Sequence, residues 1–251
     1  MLVMGILNVT PDSFADGGRH NDLEAAVARG LEMIAEGVDI IDIGGESTRP
    51  GADRVSEEEE ITRTIPVITE LAKHGVRISI DTMRASTAEA AIKAGASIIN
   101  DVSGGLADSA MLQTAARLQV PYIAMHWRGQ SKDMNSKAIY GDVVSDVISE
   151  LNERIEAALD AGIQKDKLII DPGLGFAKDA EHNWAIIDSI DRFVALGYPV
   201  LVGGSRKRFL GGETPDEREQ ATIELTKRLG TTGVWAVRVH SVKPHKEVLS
   251  S

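Results

Sequence analysis

The stretch KLIIDPG, residues 167–173, is a short apolar run that ends on an aspartate, a proline and a glycine. Seven other runs share its character: VMGILNV (3–9), DIIDIGG (39–45), RISIDT (77–82), SIINDVSG (97–104), YIAMH (122–126), PVLVGGS (199–205) and GVWAVRVHS (233–241). Between them lie stretches with apolar residues every three or four positions, among them Leu23–Ala35, Glu57–Lys73 and Val143–Leu159, which read as amphipathic helices. Strands this apolar, each followed by a helix, suit a parallel sheet buried on both faces. Eight such repeats in 251 residues predict one α/β domain, residues 1–251, folded as a TIM (β/α)8 barrel rather than an open doubly wound sheet.

Polar side chains gather where such a barrel keeps its chemistry. Asn8, Asp42, Asp81, Asn100, His126, Asp171, Ser205 and His240 all fall near the C-terminal ends of their runs. Any one of them reads equally well as a cap for the following helix, and the eight together point to a site. The acidic run Glu57–Glu60 suits the first turn of a helix, where the macrodipole favours negative charge, and is assigned no function.

Composition narrows the partners. A formal net charge of −11 argues against nucleic acid, and no apolar segment is long enough to span a bilayer. The absence of cysteine excludes disulfides, thiolate metal sites and a cysteine nucleophile. With no basic leader before MLVMGILNVT, a cytoplasmic protein is expected.

The loop Asn8–Gly18, NVTPDSFADGG, has the look of a lid: an ordinary turn explains Thr10–Asp12 but not Phe14 among polar neighbours. In GGESTRPGA (44–52), Pro50 stiffens the backbone that presents Arg49, a natural partner for carboxylate or phosphate. Asp81, Asn100 and Asp171 suit a flat heterocycle rich in N–H donors. They are also possible metal ligands, but no tight acidic cluster or HExxH pair strengthens that alternative. Arg206, Lys207 and Arg208 in GGSRKRFLGG (203–212) form the strongest cationic cluster, a phosphate cradle or else a solvated basic turn, without a P-loop signature. Arg238 and His240, two residues apart on one strand, share a face and suit an anion. His126 is read either as support for the site or as a structural residue under the rim. No serine sits in a GxSxG elbow, so covalent acyl chemistry is not expected.

Taken in order, MGILNVTPDSFADGG, DIIDIGGESTRPGA, SIDTMRA, INDVSGG, MHWRG, DPGLGFAK, GGSRKRFLG and GVWAVRVHSV resemble the successive signatures of the dihydropteroate synthases, and MHWRG and FAKDAEHNWAI look most similar to actinobacterial members. That resemblance implies a transferase of alkyl groups other than methyl. It would condense 6-hydroxymethyl-7,8-dihydropterin diphosphate with p-aminobenzoate to give 7,8-dihydropteroate and pyrophosphate, in folate biosynthesis. It implies that Asp81, Asn100, Asp171 and Lys207 hold the pterin, that Arg238 and His240 bind the diphosphate, and that Asn8 helps to place Mg2+ there. Phe14 and Asp16, with Thr48, Arg49 and Pro50, would close over the intermediate and build the p-aminobenzoate pocket, where sulfonamides would bind. Asp16, Lys207, Arg238 and His240 would be catalytic, with pyrophosphate leaving before the aniline nitrogen attacks. A cytoplasmic homodimer is implied as well. Ser241 stands where the family usually carries Asp, and Arg208 where Ser is often found, which leaves a low-activity or non-catalytic pterin-binding paralogue as the alternative. A pterin-binding methyltransferase is disfavoured, because it should lack the SRKRF and RVH segments.

Overall fold

A computed structural model describes residues 1–10, 18–46, 55–129 and 134–250. All eight apolar runs form strands: β1 (Leu2–Asn8), β2 (Ile40–Gly44), β3 (Arg77–Asp81), β4 (Ile98–Asp101), β5 (Tyr122–Met125), β6 (Leu168–Asp171), β7 (Leu201–Val202) and β8 (Ala236–Val239). The helices between them are α1 (Gly18–Ala35), α2 (Glu57–Ala72), α3 (Ala85–Ala94), α4 (Met111–Leu118), α5 (Val143–Asp160), α6 (Ala180–Asp188), α7 (Ile190–Val194) and α8 (Glu219–Leu229), with α9 (Lys243–Leu249) after the last strand.

Every strand pair is parallel, in the order β6-β5-β4-β3-β2-β1-β8-β7. A single bridge between Ile170 and Val200 joins the outer two and closes the cylinder. The expected TIM barrel is therefore present. Two apolar layers hold it. Residues facing outward, such as Val3, Ile41, Ile43, Ile78 and Ile80, pack against the helices. Residues facing inward, Met4, Ile40, Ile98, Ile123, Ile169, Leu201 and Ala236, plug the interior. Burying each such side chain is worth roughly 1.5–3 kcal/mol relative to leaving it in water.

The strands end earlier than the sequence runs do, and side chains explain where. Beyond β4 the Asp101 carboxylate accepts from the backbone N–H groups of Ser103 and Gly105, both at 2.8 Å, and turns the chain through Gly104 at φ 58°. The acidic run does open α2, capped by Ser56, whose Oγ accepts from Glu59 N at 3.2 Å. Glu60, however, turns inward, is 1% exposed and pairs with Arg84 Nη1 at 2.5 Å. Among the described residues no helix is long and apolar enough to cross a membrane.

Candidate active site at the mouth of the barrel

Strand alternation builds this site from the plug upward. Two residues beyond Met4, Ile40, Ile98, Ile123, Ile169, Leu201 and Ala236, side chains face inward again, and those positions are Ile6, Asp42, Asn100, Met125, Asp171, Gly203 and Arg238. The polar members interlock. Arg238 Nε donates to Asp42 Oδ2 at 2.6 Å and Nη2 donates to Asp81 Oδ2 at 2.7 Å. Asn100 Nδ2 donates to the same Asp42 oxygen at 3.0 Å. Burial pushes Asp81 up to about 7, against the pull of Arg238, and one guanidinium thus serves two buried carboxylates.

Asp171, Lys207 and Arg238 surround Gly203. A Cβ placed on that glycine would stand 3.8 Å from Asp171 Oδ2, 4.0 Å from Lys207 Nζ and 4.0 Å from Arg238 Cβ. Asp171 Oδ1 accepts from Gly173 N at 2.7 Å, and Lys207 Nζ donates to the carbonyl of Leu174. Burial pulls Lys207 down to about 8 while Asp171 opposes it, and burial raises Asp171 above its ordinary value. The Lys207 ammonium also lies 4.7 Å from the centre of the Phe176 ring. Phe176 and Trp127 pack on Met83, Val102 and Met125, an apolar wall at the rim. Met125 stands between Asn100 on β4 and Asp171 on β6, so polar and apolar side chains share this mouth, a mixture suited to a flat, nitrogen-rich ring.

His240 lies just past β8 with Nδ1 2.9 Å from Ser205 Oγ, and its backbone N–H donates to the same hydroxyl at 3.2 Å. The cationic cluster divides. Lys207 faces the mouth and Arg208 is exposed, whereas Arg206, at φ 56°, is bound by Glu219 Oε2 at 2.6 Å from Nε and by Ser241 Oγ at 2.9 Å from Nη2. Ser241 is thus a partner of Arg206, and Glu219 supplies the carboxylate beside it.

Asn8, half-buried at the end of β1, pairs with Gly44, which pairs with Asp81, which pairs with Asn100, so it stands in their row. Among the described residues no group of three His, Cys, Asp or Glu can hold a metal. Mg2+ prefers oxygen donors, keeps several waters and binds through substrate phosphates. Asn8 offers one amide oxygen in this row, which fits a Mg2+ that arrives with a phosphate-bearing ligand rather than one the protein holds alone. Phe14, Asp16, Thr48, Arg49 and Pro50 lie outside the described residues.

His126 lies behind the mouth and not in it. It follows the inward Met125 and so points outward, where Nε2 lies 2.9 Å from Glu150 Oε2 and Nδ1 lies 2.8 Å from Lys178 Nζ. The sequence places Asp42 at the rim without a role, and the structure gives it one, joining Arg238 to Asn100; Met125 and Phe176 are not among the sequence candidates. For Asp42 and Met125 the period-two pattern was the signal: both stand two residues beyond an inward isoleucine.

Residues 4–240 match the family model described as pterin binding enzyme. The chain is 47% identical to the dihydropteroate synthase of Mycobacterium leprae over 98% of its own length and 90% of that protein. It is 49% identical to the one from Bacillus subtilis over 96% and 84%, so identity favours no actinobacterial source. Its structure is similar to that of dihydropteroate synthase from Xanthomonas albilineans in complex with 7,8-dihydropteroate, with a TM-score of 0.90 and 41% identity over 99% of this chain and 91% of that one.

Proposed function

This chain belongs to the family of pterin binding enzymes, in the branch of the dihydropteroate synthases, and from that premise we propose how its mouth works. The reaction joins 6-hydroxymethyl-7,8-dihydropterin diphosphate to p-aminobenzoate, giving 7,8-dihydropteroate and pyrophosphate. The carrying observation is the convergence of Asp171, Lys207 and Arg238 around Gly203.

The pterin enters ring-first against Met125, Val102 and Phe176. Asp171, Asp81 and Asn100 accept from or donate to its ring nitrogens and amino group, and Lys207 donates to its carbonyl edge. Its tail then lies towards Arg238 and His240. Mg2+ bound to the diphosphate and to Asn8 would neutralise charge on the leaving group. The bond between the methylene carbon and the bridging oxygen breaks, and both electrons leave with pyrophosphate beside Arg238 and His240. Asp81 and Asp171, and Asp16 from the first loop, favour the positive charge left on the pterin methylene. The aniline nitrogen attacks that carbon, forming the C–N bond, and its surplus proton passes to water. Phe14, Thr48, Arg49 and Pro50 contribute the p-aminobenzoate side. Preorganised groups of this kind are each worth roughly 3–4 kcal/mol of barrier.

The Arg206–Glu219 pair supports catalysis rather than pterin binding alone, since it braces the anion side although Ser241 stands in place of an acid. Absence of cysteine supports a reducing compartment, and a homodimer and a single domain over 1–251 complete the reading. The direct test is product formation from the two substrates with and without Mg2+. Turnover that requires Mg2+ is expected, and binding of pterin diphosphate without pyrophosphate release would refute the catalytic role.

A further inference from the structure

Behind the mouth, residues 172–178 (PGLGFAK) wrap around one ammonium group. Lys178 is 8% exposed, and its Nζ lies 2.8 Å from His126 Nδ1, 3.1 Å from Gly173 O and 3.1 Å from Phe176 O. Three acceptors match its three N–H bonds. Because Lys178 donates to Nδ1, the His126 proton sits on Nε2 and faces Glu150, which is gripped in turn by Arg128 through Nε at 3.0 Å and through Nη2. Neighbouring groups hold the rest of the loop. The Tyr140 hydroxyl donates to Ala177 O at 2.9 Å, and Gly175 N donates to Asn183 Oδ1 at 2.7 Å. The backbone takes positive φ at Gly173 (70°), Gly175 (76°) and Ala177 (48°), and this curls the carbonyls of Gly173 and Phe176 towards the ammonium.

The outer side of this loop is the pterin side of the site. Gly173 N donates to Asp171 Oδ1, the Leu174 carbonyl accepts from Lys207, and the Phe176 ring faces the Lys207 ammonium. Arg238 and His240 are fixed by other residues, namely Asp42, Asp81 and Ser205.

We propose that Lys178 is a positioning residue for the pterin half of the site: by tying Gly173, Phe176 and His126 together it sets where Asp171 and Lys207 stand, while leaving the diphosphate half untouched. It touches no substrate. Burial drives its pKa down to about 7, with Asp171 opposing, and a lysine kept in place against that penalty marks a position where its donors are needed. Ala177, a residue with a side chain in the left-handed region, is strain that the same knot of hydrogen bonds offsets.

The proposal rests on the pterin reading of the mouth, and the test separates the two. Binding of 6-hydroxymethylpterin, the ring without the tail, and of inorganic pyrophosphate, the tail without the ring, is measured by titration calorimetry for wild type and Lys178→Met. The variant keeps an apolar chain of similar length and loses all three donors. Ring affinity is expected to fall about tenfold or more, with pyrophosphate affinity within about twofold of wild type, as loss of one or two buried hydrogen bonds predicts. Ring affinity within about twofold of wild type, or an equal loss for both ligands, would overturn it. If Lys178→Met does not fold, His126→Leu removes one of the three acceptors and must show the same split. Wild-type protein that binds neither ligand would overturn the pterin reading itself, and this proposal with it.

Discussion

Arg238 Nε donates to Asp42 Oδ2 at 2.6 Å, inside the barrel and beneath the level where substrate enters. Asp42 is 0% exposed and Asp81, on the other arm of the same guanidinium, is 7% exposed. The cation proposed to face the leaving group is therefore also what keeps two buried carboxylates together.

Arg238→Ala is expected to lose stability as well as rate. Breaking a buried pair by removing one partner costs about 3–5 kcal/mol, and losing one preorganised cation costs about 3 kcal/mol of barrier, roughly a hundredfold in kcat. Urea unfolding and a pyrophosphate-release assay read the two effects separately. A variant as stable as wild type would mean that the triad with Asp42 and Asp81 is absent.

A bell-shaped pH profile of kcat/KM is expected for the free enzyme. Below a pH near 7, Asp81, raised to about 7 by burial, takes up a proton and loses its charge. Above a pH near 8, Lys207, lowered to about 8 by burial, gives up its proton and no longer carries a cation to the mouth. Both limbs lower activity. Lys207→Arg replaces a titrating group with one that stays charged, so the alkaline limb should disappear even if the maximum rate drops.

Gly203→Ala places a methyl at 3.8 Å from Asp171 Oδ2 and 4.0 Å from Lys207 Nζ, ordinary contact distances that the fold tolerates. The methyl stands where the three functional groups meet. Pterin affinity should therefore drop about tenfold, with unfolding free energy changed by less than about 1 kcal/mol. Loss of fold or unchanged pterin binding would each contradict this placement.

Arg84 braces the chain on both sides of residues 47–54. Its Nη1 donates to Glu46 Oε2 at 2.9 Å and its Nη2 donates to Val55 O at 2.6 Å, with buried Glu60 as the anchor. Because Thr48, Arg49 and Pro50 lie between Glu46 and Val55, Arg84→Met should raise the KM for p-aminobenzoate about tenfold, with pterin affinity within about twofold of wild type. Steady-state kinetics with each substrate varied in turn decide it.

The barrel was fully legible because its evidence is local and repeated. Eight short apolar runs at helical intervals leave little choice of architecture, and the amphipathic helix expected over Val143–Leu159 is α5 to within one residue. The site was legible in part. Asp81, Asn100, Asp171, Lys207, Arg238 and His240 do gather at one end of the barrel. What a list of strand ends could not say was which way each side chain faces: His126 and Met125 are neighbours, and only alternation counted from Ile123 shows that the methionine is inside. Lys178 was less legible still. Nothing in FAK marks the lysine as buried, because its three acceptors are two backbone carbonyls and a histidine 52 positions away. Arg206 misled for the opposite reason, since a charged triplet reads as one patch until Glu219 and Ser241, both distant in sequence, draw its first member aside.

Asp171→Asn gives the most direct measurement. Asparagine keeps an oxygen for Gly173 N and removes only the charge beside Lys207 and Arg238. At saturating substrates and Mg2+, pyrophosphate release should fall about a hundredfold while the melting temperature stays within a few degrees of wild type. Release at the wild-type rate would mean that Asp171 does not act with Lys207 and Arg238 as one site.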